Sequence, residues 1–448
     1  MTHAQSSTSA PPWLPLRVLS GSLVAAGVLL AVGGQGAWAE RFLWEAPAPG
    51  LWARCGASLL ILAVALALAL CLGLALGFTA RRAGRRVEMG AAFCGRVLAC
   101  LPVAAIAWGF VGLWTGKFGL PVETLMPAEL PLRENGWPAV LARTLWEFLV
   151  PTLLLALPLA GEVLHAVAAD GRATTNLELA LRARGVPKDA RLWHHHLRQV
   201  LPLLRGRMQV LCLVAPALLI IIEDVLRFMG WGGWMAQAIR AADVRAMACG
   251  FVTGGGMMAL LCAAFHLLLR GPALQMRNRL TALAWLPWPL WMLGVMVLPP
   301  FAEYPRLVIW FAMLAFGSAA WHDVWTRTEK RLPLDAARVA GATEWGLWLT
   351  HSAPVQLRMI TAWISTVLAQ TLLWIAAAGV LQPRLVRELE APLGAWLGPL
   401  VVDSPQDTGR VLGDPSTLLW AGGGLMLAAL CLIQVSRIVQ PRPPKPHV

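Results

Sequence analysis

Charged residues are scarce in this chain. Of its 448 residues only 14% are charged, whereas 58% are hydrophobic. Soluble domains carry roughly 25% charged residues, so a soluble fold would leave a large apolar surface in contact with water. The scarcity of charge therefore excludes an ordinary soluble globular protein and indicates a membrane protein.

Signatures of catalysis and metal binding are also missing. No phosphate-loop sequence G-x-x-x-x-G-K-[ST] occurs, so we do not expect this chain to hydrolyse ATP itself. None of the eight cysteines forms a C-x-x-C pair, which disfavours a zinc or disulfide framework. The side chains of His194-His195-His196 would point in different directions on a helix, so they do not form an i, i+4 metal pair. Without a paired nucleophile and base, we expect no enzyme activity, no metal and no cofactor.

Long apolar runs dominate the chain, and each is near the roughly 20 residues that a transmembrane helix needs. They predict an all-α polytopic membrane protein with about ten transmembrane helices. The first run could instead be a signal peptide, because Ala37-Trp38-Ala39 resembles a cleavage site. However, this run is longer than the roughly 7–15 apolar residues of a signal-peptide core. The predicted spans are 18–38, 56–79, 90–114, 139–164, 207–227, 246–269, 282–300, 305–322, 359–380 and 417–436.

The basic residues indicate the topology. A net charge of +13 would suggest a nucleic-acid partner in a soluble protein, but here the Lys and Arg residues lie between the apolar runs. Alternate loops hold most of them, including Arg81 to Arg86 and the long segments 165–206 and 323–358. The positive-inside rule places these loops in the cytoplasm. We therefore expect both termini in the cytoplasm, membrane lipids around the chain and no nucleic-acid partner.

The two long cytoplasmic loops resemble each other. The first runs from Leu179 through Gly185 to Leu201-Pro202, and the second from Asp335 through Gly341 to Ala353-Pro354. In both, small and basic residues precede a glycine, and an apolar span follows. A repeat at equivalent topological positions indicates that the chain contains two related halves.

These loops resemble the EAA loop of binding-protein-dependent ABC importer permeases, which runs E-A-A-x-x-x-G and ends in a Leu-Pro-like pair. In the second loop Asp335 stands at the Glu position, and His351 and Pro354 match the peptide-permease version. The first loop departs further, because Leu179 stands at the acidic position. The residues that the resemblance assigns to ATPase coupling are Ala180, Arg182, Ala183, Gly185, Pro202, Asp335, Ala336, Ala337, Arg338, Gly341, His351 and Pro354.

Further segments resemble the dipeptide, oligopeptide and nickel permeases. Arg54 to Leu59, followed by Gly73 and Gly77, is similar to their first core helix, and Glu223 to Gly230 is similar to their E-x-x-L-x-F-L-G segment. We interpret Gly73 and Gly77 as a small-xxx-small pair for helix packing. The resemblance implies a first permease-like half at 1–281 with six helices, and a shortened second half at 282–448 with four helices.

The resemblance implies the fold and function of a type I ABC importer permease in a bacterial inner membrane. Its partners would be cytoplasmic ABC ATPase subunits and a periplasmic substrate-binding protein, and its substrate a peptide, nickel or another small solute. We expect a fused pseudo-dimer, with pairing to a second permease subunit as the alternative. Other functions left open are an ion-coupled secondary transporter, which also shows internal repeats, and a diverged membrane subunit that no longer transports.

Ionisable residues within or at the ends of the spans are costly in a membrane and often functional. We expect Glu223 and Asp224, near the periplasmic end of the fifth span, to attract a cationic substrate or to contact the binding protein. The alternative is that both simply reach the membrane interface. The ionisable residues in these positions are Glu147, Glu162, His165, Glu223, Asp224 and His266.

Overall fold

Helices form nearly all of the structure that the computed structural model describes. It describes residues 14–32, 51–112, 137–169, 180–181, 183–187, 197–228, 230–269, 353–381 and 426–435, and also residues 307, 309, 310, 313, 314, 317, 343, 345 and 424. No strand occurs in these ranges. The helices are α1 (Leu14–Val32), α2 (Leu51–Ala83), α3 (Arg85–Ala99), α4 (Val103–Gly112), α5 (Trp137–Ala169), α6 (Leu197–Val225), α7 (Trp231–Arg240), α8 (Val244–Leu268), α9 (Ala353–Leu381) and α10 (Met426–Val435).

Among the residues that the structure describes, four helical segments are long and apolar enough to cross a membrane. They are all of α2, residues Phe148–Ala168 of α5, residues Arg207–Val225 of α6, and all of α8. At 1.5 Å per residue, α2 alone is about 50 Å long, which exceeds a hydrocarbon core of about 30 Å. The prediction of an all-α, membrane-embedded protein is confirmed. The number of spans and the two-half architecture stay predictions, because much of 282–448 lies outside the described residues.

The predicted span 90–114 is not one helix. It is divided between α3 and α4, which are separated by Cys100, Leu101 and Pro102. Pro102 has no backbone N–H and disfavours helical geometry in the residue before it, so α3 ends at this point. The carbonyl of Pro102 then accepts from the amide of Ile106 at 3.1 Å and starts α4.

Two helices extend into the first loop that is predicted to be cytoplasmic. Helix α5 continues to Ala169 and α6 begins at Leu197, so both helices extend into the predicted loop 165–206. Leu201 and Pro202 lie within the first two turns of α6 and do not precede it. As the sixth residue of α6, Pro202 lies beyond the first amides, which lack partners, and it therefore removes one hydrogen bond within the helix.

Small residues set the closest helix contacts. A Cβ atom on Gly73 would lie 2.5 Å from Cγ1 of Val163, and one on Gly77 would lie 2.5 Å from Cγ1 of Val167. The interpretation of this glycine pair as a packing motif is therefore confirmed, and α2 runs parallel to α5. A Cβ atom on Gly161 would lie 2.5 Å from the amide of Ala99, so α3 approaches α5 backbone to backbone from another side.

The remaining core forms around α6. Helix α1 packs along α8, and α2, α5, α7 and α8 all contact α6. The side chains at the centre are apolar, including fully buried Leu204, Met208, Ile220 and Trp231. Apolar side chains also cover outer faces of α2 and α5, as expected for helices in contact with lipid: Trp52, Leu60, Leu72, Leu76, Leu149, Leu153 and Leu157 are exposed.

Candidate functional site: the Glu223 corner and the Gly185 turn

A buried carboxylate lies where α6 ends. Glu223 is fully buried, and its Oε1 accepts a hydrogen bond of 2.5 Å from the hydroxyl of Ser58 on α2. Its Oε2 accepts from the amide of Gly233 in the first turn of α7 at 3.0 Å. The Ser58 hydroxyl in turn accepts from the amide of Trp231 at 2.8 Å. We call Ser58, Glu223, Trp231 and Gly233, with the turn between α6 and α7, the Glu223 corner.

Side chains from two other helices cap the N-terminus of α7. The first amides of a helix lack partners within the helix, and its N-terminus carries a partial positive charge. Gly230, at the N-cap position, has no side chain that could fill this role. Glu223 and Ser58 supply the missing acceptors, and a carboxylate suits the positive end of the helix dipole. These bonds place the start of α7 against both α2 and α6.

The turn itself requires glycine because of crowding. A Cβ atom on Gly230 would lie 2.5 Å from the Ser58 hydroxyl and would also collide with the Glu223 carboxylate. A Cβ atom on Gly232 would lie 2.9 Å from Oε2 of Glu223. The backbone of Gly230 is extended, with φ of −84°, so the restriction is one of space and not of conformation.

Trp231 connects the Glu223 corner to α8. The indole is fully buried, and its Nε1 donates to Oγ1 of Thr253 at 2.9 Å. Gly254 lies beneath the indole, since a Cβ atom there would be 2.5 Å from Cζ2 of Trp231. The Glu223 corner thus joins four helices, α2, α6, α7 and α8.

An ion pair holds the other end of α7. Nη1 of Arg240 donates to Oδ1 of Asp224 at 2.7 Å, and Nη2 contacts Oδ2. The Arg240 side chain is 31% exposed and that of Asp224 is 8% exposed. Since Asp224 follows Glu223 directly, two adjacent carboxylates hold the two ends of the same short helix.

These contacts bear on the roles that the sequence suggested for Glu223 and Asp224. Both carboxylates have partners within the chain, and these contacts support a structural role. Contacts with substrate or with a binding protein stay predictions. No sequence pattern pairs Ser58 with Glu223, although Ser58 lies in the segment Arg54 to Leu59, which resembles the first core helix of the peptide permeases.

The first predicted coupling loop contains a sharp turn at Gly185. Ala180, Leu181 and Ala183 are helical, and Gly185 has φ of +71°. The amide of Arg184 donates to the carbonyl of Ala180 at 3.1 Å, and that of Val186 donates to the carbonyl of Leu181 at 3.1 Å. A left-handed glycine with a bond across six residues is a Schellman ending. We call residues 180–187 the Gly185 turn.

The Gly185 turn presents an exposed surface. Ala180, Ala183, Arg184 and Gly185 are exposed, whereas Leu181 is buried. A Cβ atom on Gly185 would meet nothing within 4 Å. Glycine is therefore required here by the left-handed backbone and not by crowding.

The other predicted coupling residues are described only in part. Pro202 lies within α6, and Pro354 is exposed at the second position of α9. Arg182, Asp335, Ala336, Ala337, Arg338, Gly341 and His351 lie outside the described residues. The relation between the two loops therefore stays a prediction.

Further ionisable side chains form pairs between helices. Nε of Arg96 donates to Nε2 of His165 at 3.3 Å, and Nδ1 of His165 lies 3.0 Å from the carbonyl of Ala92. Arg207 lies 3.6 Å from Glu162, and Arg205 contacts His266. No group of three or more potential metal ligands occurs among the residues that the structure describes.

Comparison with known proteins gives no assignment, because no family model, no curated protein and no solved structure matches the chain.

Proposed function

We propose that this chain is the membrane-spanning permease subunit of an ATP-driven importer of the type I ABC class, with two coupling loops for cytoplasmic ATPase subunits. The observation that carries the proposal is the Gly185 turn. It is a short helical segment ended by a left-handed glycine, with exposed small and basic residues around it. Such a surface suits a groove on a soluble partner, because small side chains permit close approach.

The second loop supports the same proposal from sequence. Asp335 to Gly341 repeats the small residues and the glycine of the first loop and lies on the same predicted side of the membrane. Because the chain has no phosphate loop of its own, ATP would be hydrolysed on a separate chain. By the resemblance, the substrate would be a peptide, nickel or another small solute, delivered by a periplasmic binding protein.

Replacement of the two loop glycines tests the coupling role. We expect Gly185→Leu and Gly341→Leu each to reduce co-purification of an ATPase, recognised by its phosphate-loop peptide in mass spectrometry, while the chain still inserts into the membrane. Gly185→Asn is the matched control, because asparagine tolerates the left-handed conformation. Undiminished recovery of the ATPase with both leucine variants would contradict the proposal.

The same preparation tests the proposed assembly. A fused pseudo-dimer would give a complex of one copy of this chain with two ATPase subunits in mild detergent. A stoichiometric second permease chain would favour the unfused alternative. For the ten-span topology, reporter fusions at Gly136 and Asp403 should report the periplasm, and those at Arg85 and Lys330 the cytoplasm.

An ion-coupled secondary transporter is the second candidate. The observation that favours it is a carboxylate, Glu223, buried within a membrane-spanning segment. Against it, both carboxylate oxygens already accept hydrogen bonds from Ser58 and Gly233. Uptake into proteoliposomes driven by an ion gradient without ATP would favour this candidate, and uptake that needs ATP and an ATPase would exclude it.

A further inference from the structure

Four arginines surround the connection between α2 and α3. They are Arg81 and Arg82 in the last turn of α2 and Arg85 and Arg86 at the start of α3, on either side of Gly84. Gly84 has φ of +116°, a value that favours glycine, and α3 begins at the next residue, so all four arginines lie within six consecutive residues. We call this segment, residues 81–86, the arginine turn.

The arginine turn is only partly neutralised by the chain itself. Nε of Arg81 donates to Oε1 of Glu88 at 2.8 Å, and these two side chains are 11% and 23% exposed. Glu88 is the only acidic residue in the first turn of α3, and this ion pair engages it. Arg85 and Arg86 are exposed and have no ion-pair partner in the described part of the chain.

The position of Arg85 and Arg86 does not stabilise α3 electrostatically. Cations at the start of a helix oppose the helix dipole, which favours anions there. An ordinary surface helix would carry acidic residues at these positions. The two arginines therefore suggest an anionic group that is external to the chain.

The surroundings of the arginine turn are those of a membrane surface. Helix α2 is the most apolar of the candidate spans, and its charged residues begin again at Arg81. On α3, Val87, Met89 and Phe93 are 49%, 47% and 54% exposed, so apolar side chains next to the arginines face outward. Guanidinium groups beside an apolar, outward-facing surface match a phospholipid, which carries a phosphate above its acyl chains.

We propose that the arginine turn binds anionic phospholipid headgroups, with Arg85 and Arg86 contacting the phosphate and the exposed side chains Met89 and Phe93, which share one side of α3, contacting the acyl chains. The inference rests on the membrane embedding of α2 and does not depend on the proposed transport function. Basic segments next to a membrane gain about 1 kcal/mol of attraction per Lys or Arg from anionic lipids. This corresponds to about a fivefold change in lipid enrichment for each arginine.

Reconstitution in lipid nanodiscs tests the proposal. The full chain is placed in discs of phosphatidylcholine containing a minor fraction of phosphatidylglycerol, extracted gently, and its retained lipids are counted by native mass spectrometry. We expect the native chain to retain phosphatidylglycerol preferentially, and Arg85→Gln and Arg86→Gln each to lower this preference about fivefold. Arg85→Lys should retain most of the preference, because the positive charge remains.

Arg54→Gln is the matched control, since it removes one arginine from the opposite end of α2. A fall as large as that of Arg85→Gln would show that net charge and not this site determines retention, and would overturn the proposal. An unchanged preference for phosphatidylglycerol in both Arg85→Gln and Arg86→Gln would also overturn the proposal. An acidic protein would then be the favoured partner of the arginine turn. A second measurement needs no variant: added salt should reduce retention by the native chain, because exposed charges are screened.

Discussion

The Glu223 corner and the Gly185 turn both contain essential glycines, but for opposite reasons. At the corner, Gly230 has an ordinary extended backbone and lacks space for a Cβ atom. In the turn, Gly185 has ample space and a left-handed backbone. The corner is a buried network joining four helices, whereas the turn is exposed. The difference shows that a glycine can be required by lack of space in a buried network or by backbone conformation on an exposed surface.

Removal of the buried carboxylate should have the largest effect. Glu223→Ala would leave the Ser58 hydroxyl and the Gly233 amide without an acceptor in a buried site, and we expect a loss of about 3 kcal/mol in stability. The measurement is thermal unfolding in mild detergent. Unfolding is detected by the reaction of buried cysteines, such as Cys212 and Cys262, with a thiol-reactive fluorophore. Glu162→Ala, at a half-exposed carboxylate, is the control and should cost less than about 1 kcal/mol. Equal losses in both variants would contradict the network.

Crowding at the corner should have the second largest effect. We expect Gly230→Ala to cost about 2 kcal/mol, because the added Cβ atom must displace Ser58 or Glu223. Gly56→Ala, on the exposed face of α2, is the control, since a Cβ atom there meets nothing within 4 Å. Alanine favours helix more than glycine, so this control should be neutral or stabilising by up to about 1 kcal/mol. If the unfolding temperature of Gly230→Ala equals that of the native chain, the corner is not crowded at this position.

Strain at the turn should have a smaller effect. We expect Gly185→Ala to cost about 1 kcal/mol, because an L-residue with a Cβ atom is disfavoured in the left-handed region. Gly185→Asn should cost less, since asparagine visits this region more readily. The same unfolding assay compares the two. A larger loss with asparagine than with alanine would indicate crowding, and the contrast with Gly230 would then fail.

The smallest effect is expected at the Arg240 end of α7. Arg240→Gln removes the positive charge beside Asp224, whose side chain is 8% exposed, but the glutamine amide can still donate a hydrogen bond to this carboxylate, and the arginine is 31% exposed. We expect a loss of about 0.5 kcal/mol, in the range of partly exposed ion pairs, and a smaller difference from the native chain at high salt. A loss as large as that of Glu223→Ala would mean that the ion pair, and not the buried carboxylate, holds α7.

Features that depend on local sequence could be predicted. Apolar runs indicate membrane helices wherever they exceed the membrane thickness, as in α2 and α8. The spacing of Gly73 and Gly77 indicates a packing face because residues four apart share one side of a helix. A glycine after small helical residues indicates the turn at Gly185, since few other residues adopt its backbone conformation.

The tertiary structure alone decided the partners of the buried polar groups. Ser58 and Glu223 are 165 residues apart in the chain, and no periodicity relates them. Gly230 and Gly254 are required by the atoms of Glu223, Ser58 and Trp231 that lie against them, and this crowding exists only in the folded chain. Local pattern determines which segments become helices, because helical hydrogen bonds join near neighbours. The assembly of a buried carboxylate with its hydrogen-bond donors depends on distances between helices, which only packing determines.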